Sequence, residues 1–277
     1  MASILEASAA KPGNVHPEAA FPDLSYEELV AAGLAIAPAM EHAAELPLGR
    51  TILDAVTAAS AVTRSNANLG IVLAIAPLAA VPDDRPAGPA AVAEVLARLT
   101  SADATDVWRA IRLAQPGGMG QSSQHDLAGP PPDDLLAAMR LAAPHDAIAR
   151  LWVNGYDSLF TGLVADLETA IGRGLALNDA IIGAFLAQLA REPDSLIARK
   201  HGLPAAIEVS QRAAAALAHP QTIPQTIPQF DRFLRSPRRL NPGTTADLTA
   251  AALYILVRSG RLIADIYPTT PPARPRT

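Results

Sequence analysis

The sequence predicts an all-α fold: a single multi-helix domain with its site at clustered helix ends. Three observations carry the prediction. Apolar residues recur at three-and-four spacing in nearly every stretch between the punctuating prolines and glycines. The apolar half of the 277 residues is mostly Ala and Leu, strong helix formers, and only 4% of the chain is aromatic. No stretch alternates apolar and polar residues as a half-buried strand would.

Taken in order, the periodic stretches place helices over 25–42, 48–67, 70–80, 88–99, 102–114, 133–142, 146–172, 177–191, 195–201, 203–218, 226–236 and 244–265. Ser25 followed by Glu28 opens the first with a capping box. Asn178 and Asp194 each precede an apolar periodic run as N-cap residues. Thr244 and Asp247 take N-cap and N3 of the last helix, a capping box with Asp in place of Glu. The segments between are polar or Pro-rich, and the tandem "QTIP" over Gln221 to Pro228 reads as a local slippage. The tail "PTTPPARPRT" lacks an apolar face and is expected to be disordered, leaving 1–267 as the helical domain and 268–277 outside it.

Several function classes are excluded. A net charge of −5 without a polybasic run does not suit a nucleic-acid partner. No cysteine is present, so disulfides, thiolate catalysis and Cys-zinc sites are out. No basic-then-apolar leader is visible, and the most apolar run, "LGIVLAIAPLAAVP" from Leu69, is too short for a membrane span and broken by Pro77. A soluble, cytoplasmic chain without a membrane partner is the expectation. The run "PGGMGQSS" lacks the Gly-Lys-Ser/Thr ending of a phosphate loop and no strand precedes it. None of the six histidines pairs at metalloprotease spacing, and nothing resembles a nucleophile elbow.

Polar residues gather at helix ends in four places. In "AAKPGNVHP", Lys11 can attract phosphate, Asn14 and His16 offer hydrogen bonds, and Gly13 allows close backbone approach; an ordinary Pro-Gly turn is the other reading. In "TRSNANLG", Asn66 and Asn68 with Thr63 and Ser65 exceed what a helix C-cap before Gly70 requires. In "REPDSLIARKHG", Arg199 and Lys200 suit either the negative end of a helix dipole or a clamp on a phosphate chain. In "LNPGTTADL", capping accounts for Thr244 and Asp247 but leaves Asn241, Gly243 and Thr245 without a task. A helix start is an anion site, and a carboxylate there can hold Mg²⁺ against phosphate.

In this order the four blocks resemble the triphosphoribosyl-dephospho-CoA synthase family, which makes the prosthetic-group precursor of citrate and malonate lyases and decarboxylases. The resemblance runs from about Glu6 to Leu262, over "EASAAKPGNVH", "NANLG", "PDSLIARKHG" and "LNPGTTADLTAAAL". It implies an all-helical, ATP-dependent transferase with Mg²⁺, in which a hydroxyl of dephospho-CoA displaces adenine from C1′ of the ATP ribose. It further implies that Lys11, Arg199 and Lys200 carry phosphate charge, and that Asp247, with Asn241, Thr244 and Thr245, forms the metal–phosphate site. Asn14, His16, Asn66 and Asn68 would orient sugar or base, with Asp247, His16 and Asn14 closest to the chemistry.

This chain departs from the lyase-linked pattern. It reads "KPGNVH" and then "FPDL" where those enzymes read "KPGLVD" and a His-Arg-Asp-Met block. It reads "NANLG" for "NTHKG", so Asn68 replaces a His and Leu69 a Lys. Each charge-assisted phosphate bond contributes on the order of 1.5–3 kcal/mol, so the loss of a cation matters. The chain resembles a divergent branch whose acceptor is dephospho-CoA or a related cofactor precursor. A second reading is a non-catalytic nucleotide-binding or assembly protein in methanopterin-type cofactor biosynthesis. A homodimer is compatible with either.

Overall fold

The computed structural model describes residues 1–63, 68–114, 129–218 and 223–262. Its first half runs α1 (Ala2–Ser8), α2 (Tyr26–Ala35), α3 (Ala37–Glu41), α4 (Leu48–Val62), α5 (Leu69–Ala79), α6 (Pro89–Leu96) and α7 (Ser101–Ala114). After α8 (Leu135–Ala142) and α9 (Ala147–Val153) come α10 (Asp157–Leu159), a π-helical turn over Phe160–Val164 and α11 (Ala165–Gly172). The chain continues through α12 (Leu177–Arg191), α13 (Ser195–His201), α14 (Leu203–Leu217), α15 (Ile223–Arg235) and α16 (Gly243–Arg258). Among the described residues there is no strand, only the isolated bridges His16–Ala19 and Phe21–Leu24. The all-α prediction holds.

The differences from the predicted elements have local causes. The stretch expected as 25–42 divides at Ile36, because Pro38 lacks the N–H that would continue the ladder to Leu34. α4 ends at Val62 with Thr63 extended, short of the expected 67, and residues 64–67 lie outside the described ones. The expected 146–172 helix breaks at Gly155 and Tyr156, both at positive φ, where the Asn154 side chain accepts the Tyr156 N–H at 3.1 Å. α12 starts at Leu177 with no side-chain cap, so Asn178 is not its N-cap. Ser25 and Glu28 do form their reciprocal capping box, and Asp194 does cap α13. α1 had no sequence signal. Seven residues are too few for an isolated helix, and packing of its buried face against α2 and α16 stabilises it. The tail 268–277 and Gln221–Thr222 of the "QTIP" pair lie outside the described residues.

Two helices organise the core. α5 buries every residue except Gly70, as expected for a helix apolar on all sides. No helix among the described residues is long and apolar enough to cross a membrane. Pro77 within α5 cannot donate to the carbonyl of Leu73, and the indole N–H of Trp152 does so instead at 2.9 Å. The hydroxyl of buried Tyr156 bonds the next carbonyl, Ala74, at 3.0 Å, which helps to hold its left-handed backbone. α16 joins the larger apolar cluster through Leu253 and Leu256 and the smaller one, built on Phe185, Val209 and Leu234, through Ala246. Its first turn therefore lies where the two clusters meet.

Candidate active site

Asn241-Pro242-Gly243 turns the chain into α16, whose N-cap position is Pro242, and no side chain within the turn caps it. The capping box expected of Thr244 and Asp247 does not form, because the N-cap is Pro242, two residues before Thr244, and both lie inside the helix. The missing cap comes from Asp194. Its Oδ2 accepts the Thr245 N–H and the Thr245 hydroxyl, each at 2.8 Å. Its Oδ1 accepts the N–H groups of Leu196 and Ile197 at 2.9 and 3.0 Å. One carboxylate, 3% exposed, thus holds the starts of α13 and α16 together. Burial raises its pKa and these four hydrogen bonds oppose the rise.

The start of α9 joins them. Asp146 Oδ1 accepts from Ile148 and Ala149, and its Oδ2 pairs with Arg199 Nη1 at 3.2 Å. The Ala147 N–H donates to Ser195 Oγ at 3.3 Å, and that oxygen lies 3.1 Å from Thr244 Oγ1. The start of α5 closes the arrangement against Asp247. A β-carbon on Gly70 would fall 1.9 Å from Asp247 Oδ2 and 2.4 Å from its Cγ, so the absence of a side chain there makes room for the carboxylate. Asp247, half-buried, has its pKa raised well above the usual carboxylate range. Burial is the main cause, followed by the negative charges of Glu6, Asp194 and Asp146, while Arg199 opposes them.

The N-terminal block reaches the same helix start from the other side. Asn14, 5% exposed, donates to Asn241 Oδ1 at 2.7 Å, while its own Oδ1 is buried without a partner. Gly13, at φ +75°, donates to Asp231 Oδ1 at 2.8 Å and packs so close to Leu234 that a β-carbon would clash. Lys11 is fully buried, and its ammonium is 2.9 Å from Glu6 Oε1 and also donates to the carbonyls of Glu6 and Ala9. His16 lies by Asp231 and Arg235. Burial, then Arg235, lowers its pKa, so the ring is neutral at pH 7.

The structure therefore brings Asp247, Thr244, Thr245 and Arg199 together, with Asn68 buried at the N-cap of α5 and Asn14 and Asn241 paired beside them. Lys200 is exposed to solvent on the side of Asp23, whose pKa is lowered chiefly by the hydrogen bond from Arg239 and only to a lesser degree by Lys200. Asn66 lies outside the described residues. Among the described residues no group of three or more His, Asp or Glu is arranged to hold a metal by itself. Sequence reasoning missed Glu6, Asp146, Ser195, the second role of Asp194 and the reason for Gly70. The local signals were the N-cap positions of Asp146 and Asp194 ahead of apolar runs; nothing in the sequence marks the distant partner of either.

Comparison with known proteins agrees with the helical architecture. The chain matches the family described as ATP:dephospho-CoA triphosphoribosyl transferase over residues 1–263. A crystal structure from Archaeoglobus fulgidus, described as a candidate triphosphoribosyl-dephospho-CoA synthase, superposes with a TM-score of 0.64 at 23% identity. The superposition covers 83% of this chain and 99% of that one, and at this identity it speaks for the fold. No curated protein matches significantly.

Proposed function

Because the chain belongs to the ATP:dephospho-CoA triphosphoribosyl transferase family, we propose that it moves the triphosphoribosyl group of ATP to an alcohol acceptor, dephospho-CoA or a related cofactor precursor, and releases adenine. In that reaction the acceptor oxygen bonds to C1′ of the ATP ribose while the C1′–N9 bond breaks. Adenine leaves with the electron pair and takes up a proton, and the triphosphate stays on the transferred sugar. The protein must hold a polyanion, place a hydroxyl against C1′ and accommodate positive charge growing on the ribose.

The observation that carries the proposal is the position of Asp247. It lies in the first turn of α16 with the start of α5 closed against it, and its proton affinity is raised by burial and then by three other carboxylates, two of which cap α9 and α13. A carboxylate so placed gains from a cation. Mg²⁺ is commonly bound by one or two carboxylates together with substrate phosphates, so a single Asp fits Mg²⁺–ATP although the described residues form no all-protein cage. Asp194 does not share that task, since both its oxygens are taken by helix donors. When bound, the metal supplies charge neutralisation to the phosphates.

In this reading Arg199, whose Nε is buried without a partner and whose Nη1 pairs with Asp146, turns its remaining donors to phosphate. Lys200, at the exposed end of the same helix, adds charge at the entrance. Thr244, Thr245 and Asn241 shape the first turn of α16. Asn14 offers its unpartnered oxygen, and Asn68 and Asn66 offer amides, to sugar or base. With Nδ1 accepting the Glu18 N–H at 3.4 Å, His16 presents Nε2–H as a donor. Lys11 acts indirectly, by holding Glu6 near Asp247, since its ammonium is already engaged. ATP as donor goes with a cytoplasmic site of action.

One feature of the resemblance read from the sequence favours the non-catalytic alternative: it sets Leu69 where the lyase-linked pattern has Lys, one cation fewer. Incubation of the purified protein with ATP, Mg²⁺ and dephospho-CoA, followed by chromatography for free adenine, separates the two. Adenine release at catalytic turnover supports the transferase. Tight ATP binding without adenine release, with dephospho-CoA and with other cofactor-precursor alcohols, would leave a nucleotide-binding protein.

A further inference from the structure

A cleft of about 420 Å³ opens between α9, the π-helical turn and α12, and none of the roles above uses it. It adjoins the candidate site directly. Its wall includes Leu248, the residue after Asp247, and Ala147, whose N–H is bonded to Ser195 Oγ. Its size falls in the range of small-molecule sites, roughly 300–1,000 Å³. The inner wall is apolar, from Leu151, Leu159 and Leu163, while Asn154, Ser158 and Gln188 supply neutral polar groups and Glu192 a carboxylate that Arg150 neutralises.

Two guanidinium groups stand at its rim. Arg150 on α9 donates to the Ala143 carbonyl and pairs with Glu192, and Arg191 on α12 pairs with Asp166 and with Gln188 Oε1 at 3.1 Å. Their side chains are 35% and 42% exposed, and a guanidinium has five N–H donors, so each retains donors for a ligand. The backbone makes room for one of them. A β-carbon on Gly162, within the π-helical turn, would lie 2.9 Å from Arg191 Nη1, so the bare glycine lets the guanidinium rest over the turn. π-helical turns are uncommon and occur frequently at functional sites.

We infer that this cleft is the acceptor subsite: it takes a diphosphate-bearing alcohol, with Arg150 and Arg191 on the diphosphate. The inference rests on the transferase reading above and adds to it where the second substrate sits. The apolar wall and neutral amides suit the amide-linked chain of a molecule such as dephospho-CoA, and the guanidinium pair suits its diphosphate oxygens. From there the acceptor hydroxyl reaches the site past Leu248, while the triphosphate is held on the far side by Arg199 and Asp247. Two anionic substrates are thereby kept on separate cations.

The test uses dephospho-CoA and Mg²⁺–ATP as separate calorimetric titrants of the full chain, wild type and two variants. Arg150→Gln/Arg191→Gln removes both cations; Ser158→Trp fills the cleft from an exposed position without a charge change. The expected result is at least a tenfold loss of dephospho-CoA affinity in both variants with Mg²⁺–ATP affinity within twofold of wild type. If dephospho-CoA bound both variants as tightly as wild type, the cleft would not be its site, and the transferase reading would stand. Failure of dephospho-CoA to bind wild type at millimolar concentration, or an equal loss of ATP affinity in the variants, would also overturn the assignment. Selective loss of dephospho-CoA binding without adenine release by wild type would uphold the cleft and reject the transferase.

Discussion

Asp194 and Thr245 lie 51 residues apart in the chain, yet the carboxylate of one accepts both the backbone N–H and the hydroxyl of the other at 2.8 Å. The same carboxylate caps its own helix, so one side chain ties the starts of α13 and α16 together. Arg199 is carried by the first of these helices and Asp247 by the second, and their separation depends on this clamp.

Replacement of Asp194 by Asn keeps one oxygen for Leu196 and Ile197 but turns an NH₂ group toward the Thr245 N–H. Two buried donors then face each other. The expected cost is about 2–3 kcal/mol in urea unfolding, the scale for a lost charged hydrogen bond and an orphaned buried donor. A loss below about 0.5 kcal/mol, within the range of an ordinary surface substitution, would mean the clamp does not hold the helices.

Asp247→Asn should separate stability from binding. Asp247 has a folded-state pKa raised above its unfolded value, so the native state holds an extra proton between the two. Wild-type stability therefore falls as pH rises from the ordinary Asp range through the raised pKa, and above that window the penalty is constant. The Asn variant lacks this penalty and should melt higher at neutral pH, with a flatter profile. Mg²⁺–ATP affinity should fall at least tenfold, about 1.4 kcal/mol. Melting curves with and without Mg²⁺–ATP check both, and an undiminished ligand-induced shift would remove Asp247 from the site.

Gly70→Ala places a methyl group where Asp247 Oδ2 sits, at 1.9 Å. Ala is otherwise favoured over Gly in a helix by about 1 kcal/mol. Any destabilisation is therefore steric, and about 1–3 kcal/mol is expected. Adding Asp247→Ala should recover the stability without restoring nucleotide binding. Should Gly70→Ala instead raise the melting temperature, the close approach of α5 to Asp247 would be wrong.

Lys11→Met leaves the buried carboxylate of Glu6 without its cation. Removing one member of a buried pair costs about 3–5 kcal/mol. The double variant Lys11→Met/Glu6→Gln should return most of that, and a double-mutant cycle in urea gives the coupling. Recovery by the double variant would mark Lys11 as internal; a small single-variant loss with weakened ATP binding would make it a phosphate ligand after all.

Much of the fold was legible because helix periodicity, capping and breakers are local. The Ser25–Glu28 box, the Asp194 cap and the buried run of α5 needed only neighbouring residues to be read correctly. Locality also explains the errors. Thr244 and Asp247 have cap-like spacing, but the cap of α16 arrives from α13, and no local pattern reports a donor 51 residues away. α1 is too short to show its own preference, and its burial against α2 and α16 stabilises it as a helix.

The sequence alone determined an all-helical chain, the four polar blocks and, by resemblance, the family to which the chain belongs. Tertiary structure decided which polar groups are free. It buried the Lys11 ammonium on Glu6, filled both oxygens of Asp194 with helix donors, and left Asp247 among other carboxylates with its proton affinity raised. Side-chain type is a property of the residue, but charge state and available lone pairs depend on distance and burial, and those are set by long-range packing.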